Sequence, residues 1–308
     1  MSDESRARAE RLAGEPMRTA GPRPGIFSGT LRSVRDIVAH RELLGLLVRR
    51  ELKARYKDSV LGFFWTLARP LAMLLVYYVA IGKFLGAEQV PGREGGIPSF
   101  AVFIFTGLTA WQLYADIVSS STSSIVNNAG LIKKVYVPRE VFPLASVGAS
   151  LFNFMFQLFI LLAATALLGQ FPPPGERWLF FFLALATMLV MATALGLLLS
   201  AVNVYLRDVQ YLVEILLMIM MWASPIVYSW GLVQGQIGGT IWGDIYLANP
   251  MTQVVMGFQR AFWVAGDGQE WPTGLGTRLL ITLAVSTVLL WVFQRVFARL
   301  QSNFAQEL

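Results

Sequence analysis

Six stretches of this sequence run for roughly 20 residues with almost no charge, and this feature decides most of what the chain can become. About 20 apolar residues in a helix match the ~30 Å hydrocarbon core of a bilayer. Backbone inside hydrocarbon must satisfy its own hydrogen bonds, which helices do. The stretches lie at about 62–85, 99–118, 141–168, 178–202, 210–228 and 275–298. Of the 308 residues 55% are hydrophobic and only 14% charged, where a soluble domain carries about 25% charged residues. The sequence therefore predicts an all-α membrane protein with six transmembrane helices.

Charge sets the orientation. Thirteen of the 25 Lys and Arg lie in residues 1–60. With the N-terminus in the cytosol, the inner segments hold 19 of them and the outer segments and outer span ends hold five, with Arg69 near the inner start of the first span. That bias places both termini in the cytosol of a multi-pass protein of the cytoplasmic membrane. Residues 1–35, with Arg6, Arg8, Arg11, Pro16, Pro22 and Pro24, are expected to be a disordered cytosolic N-terminus. No apolar core follows within the first 30 residues, so the first span serves as an uncleaved insertion signal. Residues 36–60 form an amphipathic interfacial helix on this reading, 61–300 the six-span domain and 301–308 a cytosolic tail.

Several chemistries are excluded by residue counts. Cys is absent and His40 is the one histidine, which removes disulfides, thiolate nucleophiles and His-paired metal sites. The Gly-Lys pair that a P-loop needs occurs once, as Gly82-Lys83, followed by Phe84 and without the preceding glycine. No catalytic residue, cofactor or metal is assigned to this chain, and no nucleic-acid partner.

Three segments depart from a plain six-helix bundle. In 36–58, Leu43, Leu44, Leu47, Val48 and Leu52 share one half of a helical wheel. Glu42, Arg49, Arg50, Lys53 and Lys57 share the other, and Leu46, Glu51 and Arg55 break the pattern. A basic amphipathic helix beside a span suits the inner interface and anionic head groups of membrane lipids. In the loop 127–143, Leu131, Ile132, Val135 and Tyr136 fall at helical spacing beside Lys133 and Lys134 before Pro138. A short helix of this kind docks into a groove of another protein or lies in the interface. In the long external segment 229–274, Asn249 caps a helix that Pro250 opens, with Val254, Val255, Phe258 and Phe262 on one side. This helix is too short to span and is re-entrant or lies in the outer interface.

Polar groups inside the spans are few. The second span carries Thr109, Gln112, Asp116, Ser119, Ser120 and Ser123, and the third Ser146, Ser150, Asn153 and Gln157. Both patterns fit either interhelical bonding or a water-filled path. Ala192, Gly196 and Ser200 form a small-residue stripe for close packing. Glu214, near Arg207 and Asp208, forms a polar group at the inner mouth. Tyr77, Tyr78 and Trp222 lie deep in their spans and Tyr228 near an end. They face lipid and packing partners, or line a channel for sugars.

Five motifs carry a resemblance. They are Arg55-Tyr56-Lys57-Asp58-Ser59 with Leu61-Gly62, Trp65 and Pro70; the run Leu131 to Glu140 (LIKKVYVPRE); Asn203 to Arg207-Asp208 (NVYLRD); Ser224-Pro225-Ile226-Val227-Tyr228; and Asn249-Pro250-Met251. In this order they resemble the ABC-2 type permeases that export lipid-linked O-antigen, teichoic acid or galactan, over about residues 36–300. The resemblance implies a homodimer, each copy bound to a separate nucleotide-binding ATPase subunit that holds ATP and Mg, moving a polyprenyl-diphosphate-linked polysaccharide. It implies a coupling helix at Asn127, Leu131, Ile132, Lys133, Lys134, Val135, Tyr136 and Arg139. It implies a gate helix around Arg49, Arg50, Lys53, Arg55, Tyr56 and Lys57, and an outer re-entrant segment. The rival readings are an exporter of a drug or small lipid on the same fold, and a membrane glycosyltransferase using Asp244, Asp267 or Glu270.

Overall fold

The computed structural model describes residues 26–56, 64–88, 96–134 and 137–308. Helix α1 (Ile26–Ala39) turns at His40 into α2 (Arg41–Tyr56). Helix α3 (Phe64–Tyr77) continues into a π-helical turn, Tyr78–Phe84. Then come α4 (Phe100–Asn127), the single turn α5 (Ala129–Ile132), α6 (Val141–Leu167), α7 (Glu176–Tyr205) and α8 (Val209–Trp222). Three short helices follow, α9 (Trp230–Ile237), α10 (Ile241–Ala248) and α11 (Pro250–Phe262), before α12 (Leu275–Leu300) and α13 (Phe304–Glu307). The β pairing among the described residues is one isolated bridge, Glu88 to Ile97.

Among the described residues, four helices are long and apolar enough to cross a membrane: α4, α6, α7 and α12. They correspond to the second, third, fourth and sixth expected spans. The first and fifth correspond to shorter apolar helices, Pro70–Phe84 and Val209–Trp222. The fifth stretch is helical to Trp222, not to Tyr228. Pro225 brings no N–H to the ladder and its ring would press on the carbonyl four residues back, so the helix ends before it.

The second helix runs nine residues beyond its expected end at 118, to Asn127. Its last turns are Ser/Thr-rich, and their hydroxyls share main-chain carbonyls one turn earlier rather than drawing the backbone out of the helix. Thr122 donates to Val118 at 2.7 Å and Ser124 to Ser121 at 2.7 Å.

Helix α4 is the axis of the molecule: 78% of its apolar window is buried, against 17% for α12. Helices α6, α7 and α11 pack around it, and α12 lies outside against α7. The stripe Ala192, Gly196, Ser200 is buried, and a Cβ on Gly196 would stand 2.7 Å from Ser121 Cβ. Backbones that approach this closely are the usual mode of helix association in a bilayer. Ser121 donates to the Pro143 carbonyl at 3.3 Å and Ser146 to the Ser120 carbonyl at 3.4 Å, so these hydroxyls bond α4 to α6. Leu212, Ile215 and Ile219 of α8, with Leu280, Ile281 and Val288 of α12, are exposed. Apolar faces of that extent suit hydrocarbon and are rare on a protein in water.

The N-terminal expectation needs correction. Residues 26–35 were expected to lack structure, yet they belong to α1. Ile26, Leu31, Val34, Ile37 and Val38 recur at helical spacing, a period that the Arg/Pro-rich composition of the first 25 residues obscures. The expected tail after 300 is also packed: Phe304 is fully buried, edge-on to Phe297 at 5.6 Å.

Candidate functional site

The end of the bundle that carries both α2 and α13 is basic, and a second apolar cluster holds it together. Leu47 is buried there with Ile125, Ile132, Val141 and Phe142, and Leu43, Leu44 and Val48 pack against them. Helix α2 lies tightly on α6: a Cβ on Gly148 would come within 2.8 Å of Val48 Cγ2. Arg49, Arg50 and Lys53 are exposed on the other face, as is Leu46. The amphipathic split expected of this helix is therefore present, with its apolar half on protein. Arg55 and Tyr56 close α2, and Lys57 lies outside the described residues.

Arg50 reaches from α2 to the Asn128 side chain, donating to Oδ1. Asn128 Nδ2 donates in turn to the Ser124 carbonyl at 2.7 Å, and its own carbonyl accepts from Leu131 and Ile132. Asn128 is thus the joint where α4 ends, α5 begins and α2 is attached. Sequence reading marked its exposed neighbour Asn127 instead. The signal for Asn128 is the preference of Asn for helix ends, which both residues share.

The expected coupling helix is shorter than its apolar spacing suggested. Only Ala129–Ile132 is helical, followed by a turn at Lys133 and Lys134; Val135 and Tyr136 lie outside the described residues. Ile132 is buried in the molecule's own core and Leu131 is half-buried, so these apolar groups are not displayed for a partner. What is displayed is charge: Lys133 and Lys134 are exposed. Arg139 sits with its guanidinium 5.7 Å from the Phe304 ring, a cation–π placement. Arg207 and Asp208 form an exposed turn between α7 and α8, and Glu214 is exposed on α8.

Glu140, just ahead of α6, is 4% exposed. Burial pushes its carboxyl above the usual range, opposed by hydrogen bonds to backbone and Gln294; Asp36 of α1 adds to the rise and Arg295 of α12 opposes it. Gln294 also donates to Ser33 of α1 at 3.1 Å. Between the ordinary carboxylate value and the raised one, the folded state holds a proton that the unfolded chain has released. The associated stability is therefore full below the ordinary value and is lost as pH rises through the raised one. Glu140→Gln is expected to flatten the fall in melting temperature between those two values, read by thermal unfolding in detergent. An unchanged slope would assign the fall to other groups.

The far end is built around α11. Asn249 Oδ1 accepts from the Met251 N–H at 3.0 Å and Pro250 stands in the first turn, the expected cap. Met251 to Gln259, Ala261 and Phe262 are all buried. Protein therefore surrounds the helix along most of its length, with Pro250 and Arg260 left partly exposed. Its amides hold the neighbouring irregular backbone. Gln253 Nε2 donates to the Leu247 carbonyl at 2.8 Å, and its Oε1 accepts from Thr282 at 2.7 Å. Gln259 Nε2 donates to the Pro225 carbonyl at 2.7 Å. Non-helical backbone at membrane depth needs such shelter. Gln253 and Gln259 were missed as structural groups; an amide in an otherwise apolar helix is the available signal, because buried polar atoms are almost always bonded.

The aromatic candidates do not form one group within a chain. Tyr77 is half-buried at the change from α- to π-helix. Tyr78 donates to Glu88 at 3.3 Å, and Lys83, paired with Glu88 at 2.5 Å, lies 5.1 Å from the Tyr78 ring. Trp222 is the last residue of α8 and is 52% exposed. Tyr228 donates to the Trp222 carbonyl at 2.6 Å and its hydroxyl lies 3.4 Å from that of Tyr246.

A long helical bundle with lipid-suited faces, a basic end bearing an exposed two-lysine turn and a far end closed by short helices is the frame of a transport protein. The chain belongs to the ABC-2 type transporter family, whose model matches residues 42–263. It is similar to the O-antigen export system permease protein RfbA of Myxococcus xanthus, with 32% identity over 280 residues, 90% of this chain and 100% of the relative. An RfbA of Klebsiella pneumoniae is 26% identical over 265 residues, 86% of this chain and 94% of that protein. The capsule polysaccharide export inner-membrane protein CtrC of Neisseria meningitidis serogroup B is 26% identical over 164 residues, 53% of this chain and 58% of that one.

Proposed function

We propose that this chain is the membrane subunit of an ATP-driven exporter that moves a lipid-linked polysaccharide across the cytoplasmic membrane. The observation that carries the reading is its similarity, over the whole of that relative, to an O-antigen export permease. Two copies and two separate ATPase subunits make the working unit, with ATP and Mg held by the ATPases and no cofactor in this chain. The exposed apolar surface of α3 and α8, with Leu75, Val76, Leu212 and Leu216, supports a second copy as the partner that completes a conduit.

Six spans remain the best account of the topology. Helix α3 with its π-helical turn contains 14 and 7 residues, close to the ~20 a bilayer needs. Helix α8, with 14 residues, crosses together with the turn at 223–228 that α11 shelters. The basic end faces the cytosol by the positive-inside rule. ATP binding draws the ATPases together and pushes on the Lys133–Lys134 turn. The push passes through Asn128 to Arg50 and moves α2, beside which the lipid end of the substrate enters. The sugar chain then follows between the two copies, past Tyr77, Tyr78 and Trp222.

The test is depletion of the chain in its host while labelled sugar is followed into glycan. Long polymer on its lipid carrier is expected to accumulate on the cytosolic side while surface polymer disappears. Unchanged pools would assign the chain to another cargo, and short or absent lipid-linked glycan would assign it to synthesis.

A further inference from the structure

A second feature of the far end has the composition of a binding site. An open pocket of about 410 Å³ lies between α9, α10 and the loop that leads into α12, within the rough 300–1,000 Å³ range of small-ligand sites. Trp230 and Trp271 line it, with Gln234, Asp244, Gly238 and Gly239. The two tryptophans are held in place. Trp230 stacks on Tyr246 at 6.0 Å with 25° between the rings. Trp271 donates its indole N–H to the Gly266 carbonyl at 3.3 Å, and the Arg260 guanidinium lies 5.5 Å from its ring.

Trp230 is 7% exposed and its indole N–H has no partner in the protein. That N–H is itself sealed from solvent, so what Trp230 gives the pocket wall is ring surface and not a hydrogen bond. The hydrogen-bonding side chains of the pocket are Asp244, whose carboxylate only accepts, and Gln234, whose amide donates and accepts. Both are exposed. At Gly238 and Gly239 the wall has no side chains, and Gly239, at φ +71°, adopts a backbone that favours glycine.

Flat aromatic walls with a few hydroxyl-directed polar groups fit a sugar, which has a C–H face and a hydroxyl edge. The carboxylate of Asp244 disfavours a phosphate or an anionic head group by like-charge repulsion. We propose that this pocket is a saccharide subsite, which holds neutral sugar units of the exported chain where it leaves the permease. The proposal rests on the polysaccharide-exporter reading. It gives the far end a role in retaining the chain between strokes, since a polymer held there cannot slip back while the ATPases reset.

The experiment uses the full chain in lipid nanodiscs. The probe is polysaccharide released from the lipid of the same cells by mild acid and cut to short oligosaccharides. Binding is read by saturation-transfer NMR, with a titration for affinity. The wild type is expected to bind, and Asp244→Asn with Gln234→Ala to bind about fivefold or more weakly at an unchanged melting temperature. Trp271→Leu is expected to remove the aromatic part of the transfer signal. Equal binding by the Asp244/Gln234 variant, no binding by the wild type, or displacement of the sugar by short-chain phosphatidylglycerol overturns the subsite. Surface polymer that vanishes on depletion without any oligosaccharide binding defeats the subsite and leaves the exporter. Specific binding with surface polymer unaffected by depletion defeats the exporter reading instead.

Discussion

Gly257→Leu is expected to leave little or no folded permease in the membrane. Gly257 lies in the buried helix α11, where a single added Cβ would stand 2.7 Å from Ala184 Cβ and 3.2 Å from Leu279 Cδ1, with the Phe180 carbonyl at 3.7 Å. An alanine methyl has no rotamer by which to retreat, so relief requires α7 or α11 to move. Overpacking a core costs about 1–3 kcal/mol, and more where the surroundings cannot yield. A leucine adds three further carbons beyond the one already in collision. Fluorescence-detected size exclusion after detergent extraction reads the outcome. Gly268→Leu is the control, because nothing lies within 4 Å of a Cβ there, and it should elute as the wild type does. A monodisperse Gly257→Leu peak of wild-type height would mean that α11 is less tightly enclosed than described.

The second large effect is functional. Lys133→Glu with Lys134→Glu is expected to fold normally, to lose about tenfold or more of its co-purifying ATPase and to abolish surface polymer. Both side chains are exposed at the basic end, so the fold has no stake in their sign. Where the lysines meet an acidic surface of the proposed ATPase, reversing both charges would cost several kcal/mol, and about 1.4 kcal/mol already amounts to tenfold in affinity. Normal ATPase association together with normal export would remove the coupling role from this turn. A melting temperature below wild type would show instead that the lysines serve the fold.

The long helices were legible because hydrophobic length is a strong and local signal. Helices α6, α7 and α12 begin and end within a few residues of the stretches at 141–168, 178–202 and 275–298. The cap of α11 was legible for the same reason: Asn249 and Pro250 act on backbone one or two residues away. What depends on distant partners was not. Helix α8 stops where Pro225 intervenes, although its hydropathy continues. The loop after α4 has helical spacing, yet Ile132 turns into the core and one helical turn suffices. Asn128 rather than Asn127 makes the joint to Arg50 because only one of the two faces a helix that lies 78 residues earlier in the chain. Hydropathy also treats Gln253 and Gln259 as blemishes in an apolar run, whereas each bonds a carbonyl that would otherwise be bare.

Asn249, Thr252 and Gln259 all clasp the same short turn: the first two reach the Ala223 carbonyl at 3.1 and 3.4 Å, the third the Pro225 carbonyl. Pulling α8 away from α11 at this end would leave the buried Pro225 carbonyl without its donor, at about 1–3 kcal/mol. The two helices are therefore tied at this end, and any movement of one is expected to carry the other. The fulcrum of such a movement would fall at the opposite tip, in the exposed turn of Leu206, Arg207 and Asp208. In the exporter proposed above, a stroke delivered at that tip would become sideways travel some 14 residues further along α8, at the end where the proposed cargo leaves.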